Sequence, residues 1–225
     1  MKGGAARLAI ALAATGALAA CAGPGGGPRY RALRPAANPS AVVATELAFA
    51  REAQEKGQWT AFRDYAADDA LMFVPQQVLA EDWLKKRADP ARAVKWQPYA
   101  VWSSCDGSLA VSKGAWQRPD GTVGYFTTVW RRQRNGDYKW VLDQGDTLAQ
   151  PLPEPEMIAA QVADCSRASL PEAPPVAGRT VGWSDDRTLQ WSVEVRPDNS
   201  RSFAVKRWTG SGYEEVLRSD VAAGT

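Results

Sequence analysis

Between residues 94 and 147, apolar and polar side chains alternate with a period of two in four successive segments: 94–103, 108–118, 122–134 and 138–147. Such alternation predicts strands with one face buried. The segments are separated by Asp106-Gly107, Asp120-Gly121 and Asn135-Gly136. Asx-Gly pairs accept positive φ at both turn positions, so they join neighbouring antiparallel strands. The pattern predicts an antiparallel meander of four strands.

Upstream the period lengthens. Residues 41–56 are rich in Ala, Leu and Glu and predict a helix, with Ser40 as its cap and Gly57 as its stop. Val43, Leu47 and Ala50 share one face, with Phe49 and Ala53 beside them. A second short helix carries Trp59, Phe62 and Ala66 on one face, with Tyr65 adjacent. Residues 70–74 predict a brief extended segment ending at Pro75. A third short helix spans 80–87, with Trp83 and Leu84 inward and Lys85, Lys86 and Arg87 outward.

Downstream, Pro151, Pro153 and Pro155 break regular structure. Residues 156–165 predict a short helix with Ile158 and Val162 on one face, and 168–178 a loop. Segments 189–196, 202–209 and 213–219 then alternate again, predicting a three-stranded meander. Leu189, Trp191, Val193 and Val195 give it one apolar face, which needs a partner surface. The first domain is the expected partner. The fold class is therefore α+β: a curved antiparallel sheet packed on N-terminal helices, with a C-terminal three-stranded antiparallel extension.

The first twenty residues read as a secretory signal. Lys2 and Arg7 precede an apolar run over residues 8–18, too short to span a bilayer. The segment Leu18-Ala19-Ala20-Cys21 resembles the lipobox of bacterial lipoproteins. That resemblance implies cleavage before Cys21, with diacylglyceryl on its thiol and an acyl chain, such as palmitate, on the new amine. Two or more chains hold firmly to a membrane where one binds only reversibly. Ala22, not aspartate, follows, which resembles the class sorted to the outer membrane in a Gram-negative host, facing the periplasm. The expected location is the cell envelope, with the membrane as partner through the lipid on Cys21. Gly- and Pro-rich residues 21–40 form a tether carrying Arg29, Arg31 and Arg34. The domain reading is signal 1–20, tether 21–40, main domain 41–150 and extension 151–225.

Removing the signal takes away two basic residues and no acid, leaving 25 of each sign where the full chain had 27 and 25. A balanced chain lacks the broad positive surface that nucleic acid binding needs. Once Cys21 is assigned to lipid, only Cys105 and Cys165 are left. They either pair or stay as thiols, and an oxidising envelope favours the bond. There is no histidine. This excludes Ser-His-Asp triads, Cys-His dyads and His-ligated metal, so neither a metal nor another cofactor is expected.

The order of helices and strands resembles the nuclear transport factor 2-like superfamily, in particular its SnoaL-like members. The matching stretches are Glu46-Leu-Ala-Phe-Ala-Arg-Glu-Ala53 with Gly57, Phe62 and Tyr65 leading into Ala67-Asp-Asp-Ala70, and Phe73-Val-Pro75. Gly124-Tyr-Phe-Thr-Thr-Val-Trp130 and Tyr138-Lys-Trp-Val-Leu-Asp143 complete the match. The resemblance covers residues 41–150 and implies a sheet wrapped around a long helix into a cone with an apolar pocket.

Ten tryptophans stand out. They either line such a pocket or fill the core between sheet and helices. The candidate ligand-binding set is Trp59, Phe62, Tyr65, Trp83, Trp102, Trp116, Trp130 and Asp143. Relatives resembling ketosteroid isomerase imply a carboxylate base and a tyrosine donor, for which Asp143 and Tyr65 are the candidates. Three readings stay open: a membrane-anchored non-catalytic module that binds a small hydrophobic ligand or acts as a scaffold, a pocket enzyme performing proton transfer or hydration, and a structural envelope protein using the C-terminal sheet. No protein partner is named by the residues.

Overall fold

The computed structural model describes residues 36–166 and 178–223. The signal, Cys21, most of the tether and most of the 168–178 loop lie outside the described residues. The end of the tether is structured: the Ala37 N–H donates to the Cys105 carbonyl at 2.8 Å.

Helix α1 (Pro39–Lys56) starts one residue before the expected cap. Asn38, not Ser40, closes it, its side chain accepting from the Ala41 N–H, because Pro39 supplies a first-turn position that needs no donor. Its inward residues are Val42, Glu46, Phe49 and Ala53, spaced i, i+4, i+7 and i+11. The face expected from Val43, Leu47 and Ala50 is rotated away, and Leu47 is 46% exposed. Gly57 ends α1 with φ 118° and opens α2 (Gln58–Tyr65). A Cβ there would lie 2.3 Å from the Asp89 carboxyl carbon. Only glycine fits, and Asp89 caps α2 from a distance, accepting from the Thr60 N–H at 3.0 Å and also from the Trp59 N–H.

Strand β1 (Ala66–Phe73) is longer than the brief segment expected. It forms a hairpin with β2 (Gln77–Leu79), and α3 (Ala80–Leu84) follows. The predicted meander is present as β3 (Lys95–Ser103), β4 (Leu109–Gln117), β5 (Val123–Arg132) and β6 (Tyr138–Leu148). Gly107, Gly121 and Gly136 adopt positive φ at its three turns. The whole sheet has seven strands in the order β2-β1-β6-β5-β4-β3-β7, antiparallel in the centre and mixed at its margins, where β1–β6 and β3–β7 run parallel.

Two expectations for the extension are corrected. Residues 156–165 contain no helix; Ala159–Val162 form β7 on the edge of β3. A segment this short is marginal as a helix, whereas the β3 edge offers ready backbone partners. The second sheet has four strands, not three: β8 (Arg179–Trp183), β9 (Leu189–Val195), β10 (Arg201–Trp208) and β11 (Tyr213–Val221). Gly182 interrupts the pattern of β8 because the Trp191 ring lies there; a Cβ would meet its Nε1 at 2.2 Å.

The two faces of the main sheet are buried differently. Val101, Ala110, Trp130 and Trp140 pack with Val42, Phe49 and Ala53 of α1. Trp102, Leu109, Val111, Val129 and Leu142 pack with Leu189, Trp191, Val193, Phe203 and Val205 of the second sheet. The extension therefore covers the main sheet's outer face, as its apolar stripe requires. Each fully buried side chain of the Leu142 or Phe203 type is worth about 1.5–3 kcal/mol over its exposed state. Cys105 and Cys165 are joined by a disulfide across a sequence separation of 60.

The two meanders also repeat one another in their turns. Arg118-Pro-Asp-Gly-Thr122 is matched by Arg196-Pro-Asp-Asn-Ser200. In both, the arginine N–H donates to the carbonyl of the last residue, at 2.8 and 2.9 Å. The aspartate accepts from that residue's N–H, at 2.9 Å in each.

Candidate functional site

A bulge in β6 sets the site. Val129 pairs with Leu142 but Trp130 pairs with Trp140, so Val141 is an extra residue. Before it, Tyr138 and Trp140 face the helices; Val141 and Leu142 then both face the second sheet. Unbroken alternation would send Asp143 to that side too. The inserted residue turns it back toward the helices, opposite Thr128. Ser112, Thr128 and Asp143 thus form a polar row across β4, β5 and β6.

The Thr128 hydroxyl donates to Asp143 Oδ2 at 2.8 Å. No donor among the described residues reaches Oδ1. Burial pushes the Asp143 carboxyl up from 3.8 to about 7; the Thr128 hydrogen bond opposes this, the charge of Glu46 adds to it and Arg201 offsets part of it. Asp143 keeps some accessible surface because it lines the pocket.

Glu46 hangs from α1 above the same row and is fully buried. Its Oε1 accepts from Trp96 Nε1 at 2.9 Å. Its Oε2 accepts from the Ser112 hydroxyl at 2.6 Å and Trp130 Nε1 at 3.0 Å. Burial pushes its carboxyl above the usual range, and the three donors pull against it. The sequence reading passed over Glu46. The signal was there: an acid on the apolar stripe of α1, in step with Val42, Phe49 and Ala53.

Asp143 and Thr128 border a pocket of about 320 Å³ between the helices and the concave face of the main sheet; Glu46 lies outside its lining. Phe49, Trp59 and Phe62 form the helical wall, and Trp116, Phe126 and Trp96 the sheet wall. Their rings meet in edge-on pairs, Phe49–Trp96 at 4.8 Å and Trp59–Phe62 at 5.4 Å between centroids. Gly114 and Gly124 leave room for them: a Cβ at 114 would meet the Phe126 ring at 2.7 Å, and one at 124 the Trp116 ring at 2.2 Å.

Of the eight ligand-binding candidates, Trp59, Phe62, Trp116 and Asp143 line this pocket. The other four lie elsewhere. Trp130 is fully buried as a donor to Glu46. Tyr65 packs behind the wall, 5.0 Å from Phe49 and 6.4 Å from Trp130 between centroids. Tyr65 therefore does not share the pocket with Asp143. Trp83 lies edge-on to Trp59 with the Arg87 guanidinium 3.9 Å over its ring. Trp102 faces the second sheet. Trp96, Phe126 and Thr128 join the site without having been candidates.

Arg201 of the second sheet reaches the pocket wall. Arg201 is 4% exposed; its Nε donates to Gln144 Oε1 at 3.2 Å and its Nη2 to the Gly145 carbonyl at 2.6 Å. It fixes the strand immediately after Asp143. Among the described residues, no group of three or more His, Cys, Asp or Glu side chains converges in a way that could hold a metal ion.

No family profile and no curated protein matches the sequence. Solved structures do resemble the chain. A candidate ketosteroid isomerase from Parabacteroides distasonis ATCC 8503 is 14% identical with a TM-score of 0.41, covering 52% of this chain and 97% of that one. A CaMKII hub from S. rosetta is 17% identical with a TM-score of 0.37, over 51% and 97%. An NTF2-like protein of unknown function from Shewanella baltica OS155 is 14% identical with a TM-score of 0.36, over 49% and 94%.

Proposed function

We propose that this chain is a lipid-anchored envelope protein whose helix-and-sheet domain binds one small, largely apolar ligand. The observation that carries the binding reading is the aromatic pocket of about 320 Å³ with the Asp143 carboxyl facing it. A concave, mainly apolar site with a small number of convergent polar groups is the common design for small-molecule recognition. Aromatic walls supply contact area, and Asp143 supplies one oriented hydrogen bond. The anchoring reading rests on the Lys2/Arg7 region, the apolar run and the Ala19-Ala20-Cys21 boundary. Native mass spectrometry of the purified chain tests the first: a bound small molecule is expected, and Trp59→Ala should lower its retention. Lipid labelling tests the second. Cys21→Ser should abolish it, and a labelled Cys21→Ser protein would end the anchoring reading.

A second reading is favoured by one observation. A carboxyl titrating near 7 beside an apolar wall is suited to taking or giving a proton at neutral pH. On this reading Asp143 acts as the base, with Thr128 holding its orientation and no tyrosine partner in the pocket. Turnover of small carbonyl substrates that falls at least a hundredfold in Asp143→Asn would support it. Unchanged turnover would remove it. The reading as a structural envelope protein contacting a partner through the C-terminal sheet loses its motive, since that sheet's apolar face is packed on the main sheet.

A further inference from the structure

The mouth of the pocket carries a charge pattern that the apolar walls do not explain. Arg118, just past the end of β4, lines the aromatic pocket and also an adjoining polar depression of about 580 Å³. Its guanidinium is 5.0 Å from the centroid of the Trp116 ring, which lines the pocket below it. Arg92 and Lys95 line the same depression. Arg92 also donates to the Pro119 carbonyl at 3.4 Å, holding it against the β4–β5 turn. Among the described residues, Arg92, Lys95 and Arg118 take part in no ion pair.

Asp89 and Asp146, which line the depression and the pocket, each accept hydrogen bonds from neighbouring residues. Asp89 accepts from the Thr60 N–H at 3.0 Å and the Thr60 hydroxyl at 2.7 Å. Asp146 accepts from the Thr147 N–H at 2.8 Å. Lys56, also on the depression, is paired with Glu52 at 3.2 Å. Three cations outside any ion pair therefore border an aromatic pocket on one side, with Asp120 of the β4–β5 turn near Arg118; the Thr122 N–H and hydroxyl, and after them the Arg118 charge, hold its carboxyl below the ordinary value.

We infer that the pocket selects an amphiphilic anion: an apolar, planar body held among Trp59, Phe62 and Trp116, with a carboxylate, sulfonate or phosphate at its outer end against Arg118, Arg92 and Lys95. This rests on the ligand-binding reading above and names its ligand class. The fork of an arginine suits a flat oxyanion, and a charge at the rim also attracts the ligand from a distance.

The test compares two probes with one body: 8-anilinonaphthalene-1-sulfonate, an anion, and N-phenyl-1-naphthylamine, which is neutral. Binding is titrated by fluorescence on the full chain carrying Cys21→Ser. The anion should bind at least tenfold more tightly. Arg118→Gln, an exposed position, should lower affinity for the anion about tenfold and leave the neutral probe unchanged. Added salt should weaken only the anion. If both probes bind equally and Arg118→Gln alters neither, the charge selection is overturned while the pocket stands. If neither probe binds, the pocket reading fails and this inference fails with it.

Discussion

Asp106 and Asp186 hold each other's turns. The backbone N–H of Asp106 donates to Oδ2 of Asp186 at 2.8 Å, and the N–H of Asp186 donates to Oδ2 of Asp106 at 3.1 Å. Each aspartate also accepts, through Oδ1, from a serine two residues earlier, Ser104 or Ser184, at 2.7 Å. Gly107 and Arg187 follow them with φ of 66° and 63°. The two turns are equivalent and interlocked, one from each sheet.

Removing either aspartate should therefore loosen both turns. Asp106→Ala and Asp186→Ala should each cost roughly 1–3 kcal/mol, because each leaves a partly buried N–H without its acceptor. The double variant should cost less than the two single losses added together. Urea unfolding of the four proteins checks this; strict additivity would mean that the turns are independent.

Reduction of Cys105–Cys165 should lower stability by about 4 kcal/mol on the chain-entropy account, the bond closing a separation of 60 residues. The measurement is thermal unfolding with and without reductant, repeated on Cys105→Ser/Cys165→Ser. A double variant as stable as the oxidised protein would contradict the expectation.

Asp143 sets a pH dependence whose sign is fixed by its environment. Burial raises its folded value to about 7, above the ordinary 3.8. The folded protein then binds the proton more tightly than the unfolded chain does between these values. Its contribution is complete below pH 4 and is lost as pH rises through about 7, a change of a few kcal/mol at most. Glu46, also raised by burial, acts in the same direction. Asp143→Asn should flatten the part that belongs to Asp143 and stabilise the protein at pH 8. Denaturant midpoints between pH 4 and 8 test it; a midpoint that falls equally steeply in the variant would refute the assignment.

Glu46 should be intolerant of apolar replacement. Glu46→Leu would strand the Trp96 indole N–H and leave Trp130 Nε1 with only the Ser112 oxygen and the Ser112 hydroxyl with only the Thr128 carbonyl at 3.5 Å, and should cost about 3 kcal/mol. Glu46→Gln keeps one acceptor oxygen and should cost less. Unfolding followed by tryptophan fluorescence distinguishes them, and equal losses would show that the carboxylate's hydrogen bonds are not what matters.

Some of this was written locally. The four-stranded meander could be read because each Asx-Gly turn specifies its own backbone and each strand its own alternation. With Cys21 set aside, Cys105–Cys165 is the one pairing open to the sequence, favoured over free thiols by an oxidising compartment, and the structure contains the bond. The Arg-Pro-Asp turn at Arg196 is equally local, but the second meander reads as three strands because Gly182 interrupts the alternation of β8.

What the tertiary structure alone decided depends on surfaces far apart in the chain. Residues 159–162 became a strand because the β3 edge lay open beside them. The inward face of α1 includes an acid because Ser112, Trp96 and Trp130, all distant in sequence, meet the Glu46 carboxylate with three donors. Asp143 reached the pocket because one extra residue, Val141, reversed the phase of β6, and a bulge is a property of two paired strands. Turns and periodicity are short-range and belong to the sequence; pairing, register and the satisfaction of buried polar groups arise only when distant segments meet.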